Sequence, residues 1–202
     1  MFRRLTATVI LLVFLSGFAF AESPSLIVRG GVFLPNGTPS GGAKQGLSDF
    51  DSGSSVTGGV VIPVAPYADL ELTGGYYTAK RSVSIPGSSN RTIVTGIPLM
   101  AVVKIAHDIN PFRIFAGAGG GYLIASVEET NMVGTATAHG NALAYLLTAG
   151  GSCPLTDRLS LGADVTWFRA EPTIDLTAIS ERKSTWDVGG TTLSITLGWR
   201  FH

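Results

Sequence analysis

The segment Thr191–Phe201, TTLSITLGWRF, restricts the fold more than any other part of the chain. Leu193, Ile195, Leu197, Trp199 and Phe201 fall on every second position, with Thr192, Ser194, Thr196, Gly198 and Arg200 between them. Successive side chains of a strand point to opposite faces. One face of this strand is therefore wholly apolar and ends in two aromatics. The other is small, polar and, at Arg200, charged. A soluble sandwich would turn the apolar face into its core, whereas a membrane barrel would turn it into lipid.

The same alternation recurs along the chain. Leu26–Leu34, Val56–Val64, Ala68–Arg81, Ile93–Ile105, Phe112–Val127, Gly140–Gly151 and Leu159–Trp167 all read as strands, which with the closing segment makes eight. The connections alternate in length. Pro35–Gly53, Ile85–Arg91, Glu128–Ala138 and Arg169–Trp186 read as loops, rich in turn formers or charge. Between them lie short links at Ala65-Pro66-Tyr67, His107–Pro111 and Pro154–Asp157. Short turns on one side and longer loops on the other are the pattern of an up-and-down outer-membrane barrel. A Greek-key sandwich gives no reason for strict alternation. An even strand number puts both termini on one, periplasmic, side.

Charge placement is a second test. Arg29, Glu71, Lys104, Asp164 and Arg200 all lie on the phase opposite the apolar stripe, as barrel-interior polar residues would. Arg or Lys in the middle of a lipid-facing strand costs roughly 2–4 kcal/mol, and inward placement avoids this if the charges pair. Phe201, Trp199, Phe112 and Tyr67 are expected at the periplasmic edge, and Tyr76, Tyr122 and Trp167 at the outer edge, as two aromatic girdles. An eight-stranded barrel is just filled by side chains or holds one small ligand, so no wide pore is expected.

The N-terminus reads as a targeting segment. MFRR is a basic head, Thr6–Phe18 is mostly apolar, and Ala19-Phe20-Ala21 is a small-x-small cleavage site. Residues 1–21 are thus expected to be a signal peptide and 22–202 the barrel domain. The apolar run is shorter than the ~20 residues a membrane helix needs. With 26 Gly, 14% charged residues and no formal net charge, the chain is poor in charge for a secreted soluble domain. Nothing in the charge balance points to nucleic acid. The single Cys153 excludes an internal disulfide framework. AGAGGG at Ala116–Gly121 could suggest a phosphate-cradling loop, but no helix is expected to follow it. Asn36-Gly37-Thr38 and Asn90-Arg91-Thr92 match glycosylation acceptors, which matter only in a eukaryotic source.

The run IFAGAGGGYLIAS, then LAYLLTAGG, then DRLSLGADVTWF, then LSITLGWRF, resembles the small eight-stranded outer-membrane barrels of Gram-negative bacteria. These are the OmpA transmembrane-domain, OmpX/Ail and OmpW-like proteins. The resemblance is a pattern over most of the mature chain. It implies an all-β, up-and-down, monomeric barrel in outer-membrane lipid. It also implies that the barrel assembly machinery reads the closing strand at Leu197, Trp199 and Phe201, although His202 follows Phe201 here. No peptidoglycan-binding domain is expected after the barrel, so a wall tether is not implied.

Three functions fit such a chain. The first is a non-enzymatic barrel that supports membrane integrity or meets a surface ligand through its four external loops, since function concentrates on loops over a rigid scaffold. The second is a narrow conduit or site for small apolar molecules, lined by Ile27, Phe33, Tyr77, Phe115 and Leu143 on the inward phase. The third is a lipid-modifying enzyme, which needs a nucleophile beside an oriented His. His107, His139 and His202 are the available histidines, and none shares a strand face with a serine in a His-x-Ser pair. The first is favoured, without catalytic residues, cofactor or metal. A soluble β-sandwich or calycin-like barrel remains the alternative outside the membrane.

Overall fold

The alternating segments hydrogen-bond side to side into a closed ring in the computed structural model, which describes residues 23–35, 44–47, 50–85, 88–131, 134–175 and 183–201. The segment read as a signal peptide and His202 lie outside these residues. The ring strands are β1 (Ser25–Pro35), β3 (Asp51–Ala65), β4 (Ala68–Ile85), β5 (Ser88–Ile109), β6 (Phe112–Asn131), β7 (Gly134–Pro154), β8 (Leu159–Ala170) and β11 (Gly190–Arg200). Each pairs antiparallel with its chain neighbour in the ring, and β1 closes on β11 from Ser25↔Arg200 to Pro35↔Gly190. The eight-stranded, up-and-down expectation therefore holds. Closure leaves no unpaired edge, the condition for a sheet to stand in hydrocarbon. No helix among the described residues is long and apolar enough to cross a membrane.

Two expected loops, Ile85–Arg91 and Glu128–Ala138, are strand over their described residues: β4–β5 pair out to Ile85↔Ser88 and β6–β7 to Asn131↔Gly134. Strands β5, β6 and β7 run to 22, 20 and 21 residues, against 11 for β1 and β11. A membrane strand needs only about 9–11 residues, so β4–β7 rise well past the bilayer as one wall. The two remaining long connections carry short strands of their own: β2 (Lys44–Gly46), β9 (Thr173–Asp175) and β10 (Lys183–Asp187). They form a separate sheet in the order β2-β10-β9, parallel between β2 and β10. Backbone bonds from Trp186 N to Pro172 O and from Val188 N to Ala170 O tie this sheet to the end of β8.

The outer face bears an apolar belt. On β6 it runs through Phe112, Ile114, Ala116, Ala118, Gly120, Tyr122 and Ile124, all exposed. On β11 it is Leu193, Ile195, Leu197 and Trp199. Tyr67, Phe112, Trp199 and Phe201 are exposed at the terminal side, and Tyr76, Tyr122 and Tyr145 at the far side, with Trp167 packed against Tyr145 at 5.8 Å. Beyond the far aromatics the outward positions turn polar: Lys80, Arg91, Glu128, Thr137, His139 and Asn141. An apolar band between two aromatic girdles is the exterior of a transmembrane barrel.

Candidate functional site: the barrel lumen

The lumen is built in layers along the barrel axis. Strand alternation sends Arg29 of β1, Glu71 of β4, Lys104 of β5 and Asp164 of β8 inward at similar depth, and all four are buried. Arg29 makes a two-pronged contact with Glu71, Nη1 to Oε1 at 2.7 Å and Nη2 to Oε2 at 2.6 Å. Its Nε donates to Asp164 Oδ2 at 3.1 Å. Lys104 Nζ meets Glu71 Oε2 at 2.5 Å and lies 4.0 Å from the centre of the Phe115 ring. Thr196 and Thr166 hydroxyls complete Asp164, at 2.6 and 3.4 Å. Two cations and two carboxylates thus form a single neutral cluster across the barrel. Buried charges persist only when paired and hydrogen-bonded in this way.

Towards the terminal side the lumen opens into a vestibule of about 460 Å³. A second network sits there, which the sequence reading missed: Arg113 binds Asp69 at 3.0 Å and reaches Asp108 at 3.6 Å. Asp69 and Arg113 stand on the inward phase beside short turns. Their charge on that phase was the available signal. Arg200, grouped with the interior charges from its phase, lines the vestibule mouth and is exposed. It joins neither network, because β11 ends there and the side chain lies in the opening.

On the other side of the ionic layer lies a cavity of about 70 Å³ with hydroxyls from Ser55, Thr148 and Ser194 in its wall. Above it three rings close the bore: Phe33 to Tyr77 at 4.5 Å, Tyr77 to Phe168 at 5.2 Å and Phe33 to Phe168 at 5.6 Å. Two glycines make room for them. A Cβ at Gly96 would overlap the Tyr77 ring, and one at Gly190 would overlap the Phe33 ring. The rings continue into an apolar core shared by the tall wall and the small sheet. Leu47, Phe50, Ile174, Trp186 and Val188 pack there with Val94, Leu123 and Val127, all buried. Tyr77 Oη donates to Val188 O at 3.3 Å, fastening this outer plug to the barrel. Arg169, held by Asp187 at 3.1 Å and Glu171 at 3.0 Å, closes its margin.

Of the expected apolar lining, Ile27, Phe33 and Tyr77 are buried inside and Phe115 faces the vestibule. Leu143 does not line the lumen. It is 81% exposed on the outer face, because Ala142, Ala144, Leu146 and Thr148 take the inward phase of β7. His107 and His139 both lie exposed on the outer face, away from the lumen acids. Among the described residues no group of three or more His, Cys, Asp or Glu is placed to hold a metal ion. The arrangement pairs buried charges across the bore and packs three rings beyond them.

No family model and no curated protein matches the chain in sequence. Solved structures do match in fold. One is Neisserial surface protein A (NspA), 11% identical over 88% of this chain and 97% of that one, with a TM-score of 0.56. Another is Ail, the attachment invasion locus protein of Yersinia pestis, 11% identical over 89% and 99%, with a TM-score of 0.50. With its closed eight-stranded ring, its belt and these neighbours, the chain is in fold a small outer-membrane β-barrel.

Proposed function

We propose that the chain is a non-enzymatic protein of the bacterial outer membrane, with its termini in the periplasm, that works through the head it raises outside the membrane. The observation that carries this reading is that the bore is closed twice in series. The Arg29–Glu71–Asp164–Lys104 cluster closes it once, and the Phe33–Tyr77–Phe168 layer with its plug closes it again. A conduit for small apolar molecules would need an apolar bore at least as wide as its cargo, and the layer between vestibule and plug is ionic. What the fold offers instead is a rigid, water-exposed wall from β4–β7 with a small sheet docked on it. Its outward polar faces, including Lys80, Arg91, Glu128 and His139, are the contact surface for a ligand or for neighbouring membrane components.

Reconstitution into planar bilayers tests the closed bore. The folded protein is expected to give no stable ohmic step above the bare-membrane baseline. Reproducible steps with fixed ion selectivity would move the reading to a conduit.

A further inference from the structure

A polar groove of about 580 Å³ lies at the terminal-side rim, between the β7–β8 turn and the end of β11. Thr156, Asp157 and Arg158 line it on one side, Ser25 and Arg200 on the other. The turn is held firmly: Thr156 Oγ1 accepts from Leu159 N at 3.0 Å, and Leu155 N donates to Leu159 O at 2.8 Å. Arg200 N donates to Arg158 O at 2.8 Å, so both arginines are carried at one corner. Arg29, Arg113 and Arg169 each grip a carboxylate. Among the described residues neither Arg158 nor Arg200 does. With Asp157 in the same groove the corner carries one net positive charge. Its lip is apolar: Leu155, Trp199 and Phe201 are 53%, 47% and 44% exposed on the belt side.

A guanidinium pair beside an apolar lip fits a phosphate that arrives attached to hydrocarbon. Arginine binds phosphate through two parallel hydrogen bonds, and tryptophan settles at headgroup depth. We infer that this corner binds the headgroup of an anionic phospholipid from the leaflet on the terminal side, with its acyl chains along Leu155, Trp199 and Phe201. A singly charged glycerol headgroup neutralises the corner, whereas a zwitterionic headgroup leaves its charge uncompensated. The inference rests on the membrane reading proposed above.

Native mass spectrometry of the folded, detergent-released barrel tests it, with phosphatidylglycerol, phosphatidylethanolamine and inorganic phosphate as probes. Phosphatidylglycerol is expected to be retained over phosphatidylethanolamine. That retention should fall about fivefold for each guanidinium neutralised and about 25-fold in R158Q/R200Q. R81Q, near the far end of β4, should leave it unchanged. Each variant is checked for folding by its gel mobility before and after boiling, and the single variants stand in if the double one does not fold. Equal retention of both lipids, or a double variant that binds like the parent, overturns the site. Inorganic phosphate that displaces the lipid stoichiometrically at equal concentration makes it a free-anion site and also overturns it. A band that shifts on boiling while lipid selectivity is absent removes this inference alone. A protein that washes out of membranes removes the membrane reading with it.

Discussion

Arg29 is the residue on which the interior depends. It binds both carboxylates of the ionic layer, and Glu71 in turn binds both cations. Removing Glu71 strands Arg29 and Lys104 with Asp164 as their one remaining acid, and breaking a buried pair in this way costs about 3–5 kcal/mol. Glu71→Gln is expected to lose that much in urea titrations of the vesicle-folded barrel. Glu71→Gln with Lys104→Met should lose less than the sum of the single variants, by about 1–3 kcal/mol, because each strands the other's partner. Additivity would mean that Lys104 and Glu71 are not coupled. Phase alone sends Arg29, Glu71, Lys104 and Asp164 to the side opposite the apolar stripe, and all four are buried. It could not tell whether they form one cluster or several, because their meeting depends on the register between strands far apart in the chain. Phase failed for Leu143 because both faces of Gly140–Gly151 are apolar or small, so alternation separates two faces without saying which is wet.

At the scale of the strand, depth decides what a side chain costs. Ala118 sits mid-belt on β6, and Thr137 stands on β7 beyond the far aromatics. Ala118→Arg is expected to destabilise the vesicle-folded barrel by about 2–4 kcal/mol, and Thr137→Arg by about 0–1 kcal/mol. Equal costs would shift the membrane boundary up β7. The polar upper parts of β4–β7 escaped the sequence reading for the same reason that they tolerate charge: a strand standing in water needs no apolar outer face. Their inner face was legible, as Val94, Leu123, Ala125 and Val127 show, but nothing in it named a partner. That partner is the β2–β10–β9 sheet, whose strands of 3, 5 and 3 residues are too short to show a period. Within this region Gly96→Ala should cost about 1–3 kcal/mol by overpacking the Tyr77 ring. Most of that cost should vanish in a Tyr77→Leu background. A cost that survives there would place the strain elsewhere.

For the whole molecule, the two closures act in series and fail separately. Trp186→Ala hollows the outer plug and is expected to cost about 3–5 kcal/mol. It should leave planar-bilayer conductance at baseline, because the ionic layer below is untouched. A channel opened by that substitution alone would show that the plug is the only barrier. The stability loss and the conductance therefore report on different layers of one bore.

The pairing of β1 with β11 also fixes when this molecule can become itself. Ser25 finds Arg200, and Pro35 finds Gly190, only after every strand between them has been made. Until then β1 and β11 each present a row of bare amides and carbonyls, which hydrocarbon cannot solvate. Synthesis therefore has to finish before the chain can enter the bilayer, and something else must shelter two open edges in the interval. A ribosome that stops short of β11 leaves a product whose remaining strands alternate correctly and still cannot be housed in lipid. Such truncated chains should accumulate as targets for proteolysis and not as smaller barrels.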